Sequence, residues 1–201
     1  MLTFDKDTHT YYWNGERVPS VTQIIGSWVK TGRVYVNTFT GAAVPADLFE
    51  AAGAFGTDVH TMLTYHIAGD LDTDVLGADF RAVLVQYERW VDTVKPEIID
   101  NEVMLYSPRY GFAGTRDIKC LISGKLHIVD FKTGAYDMAG PQLAAYVQLD
   151  KENDKSRAVR HRSVLYLPKD GSDYKFVSFR DANDFPFFLS RLATYNYLKG
   201  R

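Results

Sequence analysis

One stretch constrains the fold of this 201-residue chain more than any other: two strand-like runs joined by Ser123-Gly124. Ser-Gly has the turn chemistry that a tight β-hairpin needs. With a two-residue loop, Ile122 lies opposite Lys125, and the pairing continues outward in equal steps. The fifth step places Asp117 opposite Asp130, and a four-residue loop gives the same register. Since opposed residues in an antiparallel pair have Cβ atoms about 4.5–5.5 Å apart, the hairpin predicts two facing carboxylates.

Two carboxylates this close repel each other unless one is protonated or a cation lies between them. Side chains alternate along a strand, so Lys132 shares the face of Asp130 while Phe131 points the other way. Carboxylate oxygens suit Mg²⁺ or Mn²⁺. A neighbouring lysine can orient or deprotonate a water, or stabilise an oxyanion. The alternative interpretation is a surface hairpin with scattered charges.

Composition limits the class of protein and its compartment. The chain is 46% hydrophobic and 24% charged, which is typical of a globular protein, and one domain over residues 1–201 is expected. The net charge of −2 attracts no polyanion over a long range, so a nucleic-acid site must be local or metal-mediated. The single cysteine excludes an internal disulfide and suits a reducing cytosol. Without a signal peptide or an apolar run near 18 residues, we expect a cytoplasmic protein (host cytoplasm if viral) with no membrane partner.

The first 30 residues are expected to form an appendage, a β-hairpin followed by a short helix. Asn14-Gly15 has the favoured chemistry of a type I′ hairpin turn. Ser20 and Gln23 lie three residues apart just before an apolar run, which is typical of a capping box.

Residues 30–44 lack clear periodicity and are interpreted as a loop. This stretch carries Lys30 and Arg33. It is either a surface excursion or a mobile segment beside a substrate channel.

From Pro45 to about Ile67 the pattern becomes helical. Gly53 and Gly56 lie inside this helix, where each glycine costs about 1 kcal/mol relative to alanine. Such a cost usually marks close backbone packing or a helix boundary. His60 lies on the face of Gly56, four residues on, and is either a structural histidine or a ligand.

The remaining elements follow in a regular order. A helix, three strands, a second helix and a strand are expected in turn, and a further strand and a last helix reach about Leu198. The expected ranges are Leu76–Val94, Ile98–Ser107, Phe112–Leu121, Leu126–Phe131, Ala139–Asp150, Ser163–Leu167 and Tyr174–Phe179.

Two further features carry alternative interpretations. Gln142 and Tyr146 are four residues apart on the surface of the second of these helices, where a solvated face is the ordinary interpretation. The polar connection that follows is basic and is either a solvated loop or a phosphate-contacting segment. Its arginines are Arg157, Arg160 and Arg162.

The order of these elements and the motifs along them resemble the PD-(D/E)XK nuclease superfamily, and within it the RecB-type exonuclease branch, which has phage and mitochondrial members. The motifs are Gly56-Thr-Asp-Val-His60, Gly114-Thr-Arg-Asp117, Asp130-Phe-Lys132-Thr-Gly134 and Gln142-Leu-Ala-Ala-Tyr146. The likeness covers residues 50–167, with 1–30 as the appendage and 168–201 as a C-terminal strand and helix. It implies an α/β fold of the restriction-endonuclease-like type: an αβββαβ core with a central mixed sheet flanked by helices, preceded by an N-terminal β-hairpin.

The resemblance also implies a role for each matched residue. Asp117 and Asp130 would ligate a divalent metal, Mg²⁺ or Mn²⁺, together with His60 and the backbone carbonyl of Phe131. Glu102 resembles an acidic residue often present on the first strand, which binds a second metal or acts through water.

The remaining residues would act on the attacking water or contact the DNA strand. Lys132 would position or activate the attacking water. Gln142 and Tyr146 would orient Lys132 or contact the DNA strand. Strand guidance would come from Lys30, Arg33, Arg157, Arg160 and Arg162.

The function expected from these features is metal-dependent hydrolysis of DNA by an exonuclease, in recombination, repair or replication. Its partner would be DNA, as single strands or duplex ends, with a recombination or replication protein as a possible second partner. Two alternatives stay open: a structure-specific endonuclease or junction resolvase, and a non-catalytic DNA-binding module on the same fold.

Overall fold

The computed structural model of the protein describes residues 1–154 and 158–199. Its centre is a mixed five-stranded sheet in the order β11-β10-β9-β8-β7. β9 and β10 are parallel, and the other neighbouring pairs are antiparallel. The strands are β7 (Glu97–Ser107), β8 (Phe112–Ile122), β9 (Lys125–Lys132), β10 (His161–Tyr166) and β11 (Lys175–Phe179).

Helices cover both faces of this sheet. The buried side chains of α2 (Ala46–Ala68) and α3 (Ala78–Val94) form one core with residues of β8 and β9. Those of α1 (Val21–Ile25), α4 (Ala139–Asn153) and α5 (Asp184–Lys199) form a second core on the other side. The predicted α/β class and the order helix, three strands, helix, strand are confirmed. No helix in the described part of the chain is both long and apolar enough to cross a membrane.

The hairpin of β8 and β9 has the predicted register. Ser123 and Gly124 have φ values of 50° and 74°, as a two-residue type I′ turn requires. Ile122 lies opposite Lys125, and the ladder continues from there into the sheet. A turn that fixes the register of a hairpin also fixes which side chains meet at its open end.

The N-terminal hairpin is also present, and a third strand extends it. β1 (Leu2–Asp5), β2 (Thr10–Trp13) and β3 (Glu16–Val18) form an antiparallel sheet with the expected Asn14-Gly15 turn. Ser20 and Gln23 make the predicted capping box of α1. The small sheet packs on β8 through Tyr11 and Ala113.

The loop predicted over residues 30–44 is wrong. Three short strands form there: β4 (Trp28–Thr31), β5 (Val34–Asn37) and β6 (Ala43–Pro45). Each is too short for alternation to show in the sequence, and turns at Gly32 and Gly41, both with positive φ, separate them. Tyr35 of β5 stacks on Phe49 of α2 at 4.2 Å, which joins this sheet to the helix.

The interpretation of the two glycines of α2 is also wrong. The helix is continuous from Ala46 to Ala68, so neither glycine marks a boundary. A Cβ built on Gly53 would meet nothing within 4 Å, and one on Gly56 would lie 3.8 Å from Thr133 Oγ1. Packing within the described chain therefore does not require a glycine at either position. The division into segments 1–30, 50–167 and 168–201 stays a prediction.

Gly114 of β8 is different, because close packing requires it. A Cβ at this position would lie 2.9 Å from Tyr146 Cε1 of α4 and 3.1 Å from Val21 Cγ2 of α1. The missing side chain lets the Tyr146 ring pack directly against the strand that carries Asp117.

We expect Gly114→Ala to destabilise the protein by about 1–3 kcal/mol, because the added methyl overpacks a filled site. Gly53→Ala is the matched control: it adds the same methyl in open space within a helix and should stabilise by about 0.5–1 kcal/mol. Urea denaturation followed by circular dichroism measures both. Equal free energies of unfolding for the two variants would contradict this account of Gly114.

Candidate metal centre and active site

The site begins with an irregularity between β7 and β8. Their register leaves Glu102 opposite Asp117. Regular pairs flank these two residues: Asn101 with Ile118 and Val103 with Arg116. Glu102 has a φ of 51°, in the left-handed region that non-glycine residues seldom occupy. Strained backbone of this kind persists where the surrounding structure holds it, often at functional sites.

The ladder between β8 and β9 also stops at this point. Its last pair is Ile118 with Val129, one step short of Asp117 and Asp130. Asp117 Oδ2 instead accepts a 2.6 Å hydrogen bond from the backbone N–H of Phe131. Asp117 and Asp130 are the next positions along this register, but they do not pair, and their carboxylates have different partners.

Asp117 faces His60, which α2 places over the gap. His60 Nδ1 lies 3.3 Å from Asp117 Oδ1 and 3.9 Å from Glu102 Oε1. His60 Nε2 donates to the carbonyl of Phe131 at 3.0 Å. One ligand atom from each of His60, Glu102 and Asp117 lies within 4.8 Å of the others. Glu102 is therefore part of this cluster.

Both ring nitrogens of His60 face acceptors, so the imidazolium is stabilised. Burial alone lowers the pKa of His60, but the Asp117 carboxylate and a weaker contribution from Glu102 outweigh it and raise the pKa to about 10. Burial raises the pKa of Asp117 in turn, yet His60, Lys132 and the Phe131 N–H hold it below its usual value. In the metal-free protein, the proton on His60 balances the charge of Asp117.

Asp130 faces Lys132, as strand alternation predicts. Lys132 Nζ lies 2.5 Å from Asp130 Oδ2, and the Asp130 side chain is 2% exposed. Burial raises the pKa of Asp130 to about 6, with Lys132 opposing the rise and Asp117 adding to it. Burial lowers the pKa of Lys132, but Asp130 and Asp117 outweigh it and raise that pKa. Phe131 points away and is buried in the core beside α2 and α3.

Gln142 and Tyr146 are not on a solvated helix face, so that interpretation is corrected. Their side chains are 3% and 5% exposed because α4 turns this face towards the sheet. Gln142 Nε2 donates to Tyr146 Oη at 3.0 Å. Gln142 Oε1 is buried with no hydrogen-bond partner among the described residues. Burial of both side chains argues against a direct contact with DNA.

This arrangement fits a divalent cation. Glu102 and Asp117 offer hard oxygen donors, and His60 offers one imidazole nitrogen, a softer donor that Mn²⁺ accepts more readily than Mg²⁺. The Phe131 carbonyl borders the cluster through His60. Asp130 was predicted as a further ligand, but its Oδ2 is paired with Lys132 at 2.5 Å, and the cluster of converging ligand atoms holds His60, Glu102 and Asp117 only among the described residues.

The predicted DNA-contacting residues are dispersed. Lys30 of β4 pairs with Glu50 at 2.6 Å, and Arg33 is exposed in the next turn. Arg162 Nη2 donates to Asp181 O and Asp184 Oδ2, both at 2.7 Å. Arg160 and Lys125 line a cavity of about 310 Å³ at the Lys125 end of β9, the end away from Asp130 and Lys132. Arg157 lies outside the described residues. Roles for these residues in DNA binding stay predictions.

Two tyrosines beside the site were missed in the sequence. Tyr11 Oη is 2.7 Å from Thr115 Oγ1, and burial, helped by Glu102, raises the pKa of Tyr11. The ring of Tyr136 has Lys132 Nζ 5.3 Å from its centroid. Neither tyrosine lies in one of the recognised motifs, and only the tertiary fold brings Tyr11 to β8.

Comparisons with known proteins give fold-level likeness at most. No protein-family model matches the chain, and no curated protein matches it. Among solved structures, "Crystal structure of SSO0001" is 16% identical, with 72% of this chain and 75% of that chain covered and a TM-score of 0.38. An alkaline exonuclease from Laribacter hongkongensis (LHK-Exo) is 16% identical over 71% of this chain and 82% of its own, with a TM-score of 0.32. A structure of LHK-Exo in complex with dAMP is 13% identical over 70% and 77%, with a TM-score of 0.34.

We expect metal binding to release a proton from His60. The pKa of about 10 means that His60 is protonated at neutral pH, whereas a ligand nitrogen must be free of its proton. Mn²⁺ titrations by calorimetry, in buffers with different ionisation enthalpies, should therefore show release of about one proton per site at pH 7. The affinity for Mn²⁺ should rise with pH between about 6.5 and 8.5.

His60→Asn is the control for this release, because an amide neither titrates nor carries the proton. It should weaken Mn²⁺ binding and remove the dependence of the apparent enthalpy on the buffer. Identical proton release in the wild type and the variant would return His60 to a structural role.

We expect Asp130→Asn to stabilise the metal-free protein, and increasingly so as the pH rises from about 4 to 6. The pKa of Asp130 is about 6 in the fold, against a usual 3.8, so the native state binds more protons than the unfolded state in this window. Stability that depends on protonated Asp130 is thus lost as the pH rises, by up to about 3 kcal/mol. Asparagine does not titrate and avoids this loss.

Thermal melting in EDTA across this pH range measures the effect, with exposed Asp74→Asn as the control for loss of one carboxylate. A difference between Asp130→Asn and the wild type that stays constant from pH 4 to 7 would contradict the assigned environment of Asp130.

Proposed function

We propose that the protein is a divalent-metal-dependent deoxyribonuclease that hydrolyses phosphodiester bonds at DNA ends. On this proposal it is a RecB-type exonuclease of the PD-(D/E)XK superfamily, acting in the cytoplasm in DNA recombination, repair or replication. The observation that carries the proposal is the convergence of His60, Glu102 and Asp117 next to the buried Asp130–Lys132 pair.

The acidic half of the site, formed by His60, Glu102 and Asp117, would hold the metal. Asp117, Glu102 and His60 present three donors from three different elements, and Asp130 and the Phe131 carbonyl lie next to them. A bound Mg²⁺ or Mn²⁺ supplies Lewis-acid polarisation of the scissile phosphate and lowers the pKa of a bound water. The left-handed backbone of Glu102 supports its inclusion, because this strain accompanies the placement of its carboxylate beside Asp117 and His60.

Lys132 would position the attacking water through a hydrogen bond from its ammonium, which stays protonated because Asp130 and Asp117 raise its pKa. Its ammonium lies 2.5 Å from Asp130, at the border of the acidic half, where a water between metal and lysine would be held from both sides. An ammonium there also attracts the negative charge that develops on the phosphate oxygens. No covalent enzyme intermediate is needed for this hydrolysis.

Gln142 and Tyr146 would act as positioning residues rather than as DNA contacts. They are hydrogen-bonded to each other and buried, and Gln142 Oε1 keeps an unused acceptor. Burial, helped by the Asp130 and Asp117 carboxylates, raises the pKa of Tyr146 well above its usual value, so its hydroxyl stays protonated. This buried pair would keep α4 and the strand carrying Asp117 in a fixed relation.

DNA would approach over the β4–β6 sheet and the first turns of α2. Lys30 lies on β4 and Arg33 in the turn that follows it, and both are exposed. Phosphates are the natural partners of such side chains, whereas the small net charge of the whole chain gives little long-range attraction.

We expect Lys132→Ala to lower the rate of DNA cleavage by about 10²–10³-fold, the usual cost of losing one group that stabilises developing negative charge. Asp130→Ala should abolish cleavage, with the fold retained by circular dichroism. The measurement is product release from 5′- and 3′-labelled linear DNA with Mg²⁺ and with Mn²⁺. Lys6→Ala, at an exposed lysine in the turn between β1 and β2, is the control and should leave the rate unchanged.

Circular DNA of the same sequence separates the alternatives. An exonuclease degrades the linear substrate and spares the circle. Cleavage of the circle would favour an endonuclease or junction resolvase, and binding without cleavage in either metal would favour a non-catalytic module. Wild-type rates in both variants would end the assignment of the site.

A further inference from the structure

The loop between β9 and α4 brings an aromatic ring to the Lys132 ammonium. Lys132 Nζ lies 5.3 Å from the ring centroid of Tyr136, within the range of a cation–π contact. Tyr136 is half-buried and packs against the core beneath α4. The ammonium therefore has two different neighbours, a carboxylate on Asp130 and an aromatic face on Tyr136.

These two neighbours respond differently when a cation enters the acidic half of the site. A divalent ion near Asp130 competes with Lys132 for the same carboxylate and also repels the ammonium directly. The attraction of the ammonium to the aromatic face comes from the ring quadrupole and does not depend on the carboxylate. The ring is thus the neighbour that still attracts Lys132 once Asp130 is shared.

We propose that Tyr136 is a positioning residue whose aromatic face holds the Lys132 ammonium in the site when a metal ion interacts with the Asp130 carboxylate. This inference rests on the proposed function, because it assigns the residue that keeps Lys132 beside the attacking water. The aromatic ring of Tyr136 holds the ammonium and its hydroxyl is not needed. Phenylalanine can therefore substitute for Tyr136 in this role, whereas an aliphatic residue cannot.

Tyr166 provides a matched comparison in the same place. It lies opposite Lys132 in the parallel register of β9 and β10 and packs against the same core. No cation–π contact joins it to Lys132 among the described residues, in contrast to Tyr136. Loss of the Tyr166 ring thus removes a comparable partly buried tyrosine without removing the ring face that Lys132 contacts.

The first test observes Lys132 itself, without any reaction. In protein labelled with ¹³C-lysine, the ε-methylene signal assigned by its loss in Lys132→Met should be shifted upfield by the Tyr136 ring in EDTA. The shift should persist in Tyr136→Phe and disappear in Tyr136→Leu. Addition of Mg²⁺ should move the signal further upfield in the wild type and in Tyr136→Phe. A signal at the position of free lysine in the wild type, or one that Mg²⁺ moves downfield, would overturn the proposal.

The second test measures cleavage of linear DNA. Tyr136→Leu should lower kcat by about three- to thirtyfold with KM unchanged, which is the rate equivalent of one cation–π contact. Tyr136→Phe and Tyr166→Leu should stay within about twofold of the wild type. Tyr136→Met gives a second aliphatic variant if Tyr136→Leu melts early.

The outcomes of the two tests separate the two proposals. Equal kcat values for Tyr136→Phe and Tyr136→Leu would overturn the role of Tyr136 and leave the nuclease assignment standing. Absence of cleavage by the wild type with either metal would overturn the nuclease function and this role with it.

Discussion

Three carboxylates project from adjacent strands into one region of the sheet, and their mutual repulsion has to be balanced before β7, β8 and β9 can pack. Glu102 and Asp117 lie between the paired residues of β7 and β8, and Asp130 is on the next strand, β9. In the metal-free protein the balancing charges are the His60 imidazolium and the Lys132 ammonium. Two positive charges face three carboxylates, so the cluster lacks one positive charge. Exchange of the His60 proton for a divalent cation makes up that charge, which is a physical reason for the site to accept such an ion.

Buried ion pairs with α4 stabilise β8 where its pairing is interrupted at Asp117. Arg116 and Lys119 are almost fully buried, and both approach Asp150 of α4, at 3.6 and 3.1 Å. Side chains three residues apart on a regular strand point to opposite faces of the sheet. Because Arg116 and Lys119 reach the same partner, the alternation of side chains along β8 is interrupted between them, at Asp117. A buried ion network of this kind is costly to break, because each lost partner leaves an unpaired buried charge. The network therefore ties α4, which carries Gln142 and Tyr146, to the strand that carries Asp117.

The sequence was sufficient for the parts of the site that local rules control. Turn chemistry at Ser123-Gly124 gave the register, and strand alternation placed Lys132 beside Asp130 and turned Phe131 away. The sequence was insufficient for the features that depend on tertiary contacts. The left-handed Glu102 and the end of the ladder at Asp117 have no local signal, nor does the burial of Gln142 and Tyr146, which the helical pattern alone left on a solvated face. The short strands β4–β6 were missed because each is held by its neighbours and by α2 rather than by its own pattern.

The main chain of Phe131 joins the two halves of the site. Its N–H donates to Asp117 and its carbonyl accepts from His60, while its side chain is fixed in the core against Tyr87. The residues on either side of it, Asp130 and Lys132, form the other half. A displacement of this one residue therefore moves the acidic cluster and the lysine together, so the distance between Asp117 and Lys132 is set by a short run of consecutive peptide units. On the proposed function, this rigid placement would matter for the rate, since the rate of a hydrolytic site depends on the distance between its reacting groups.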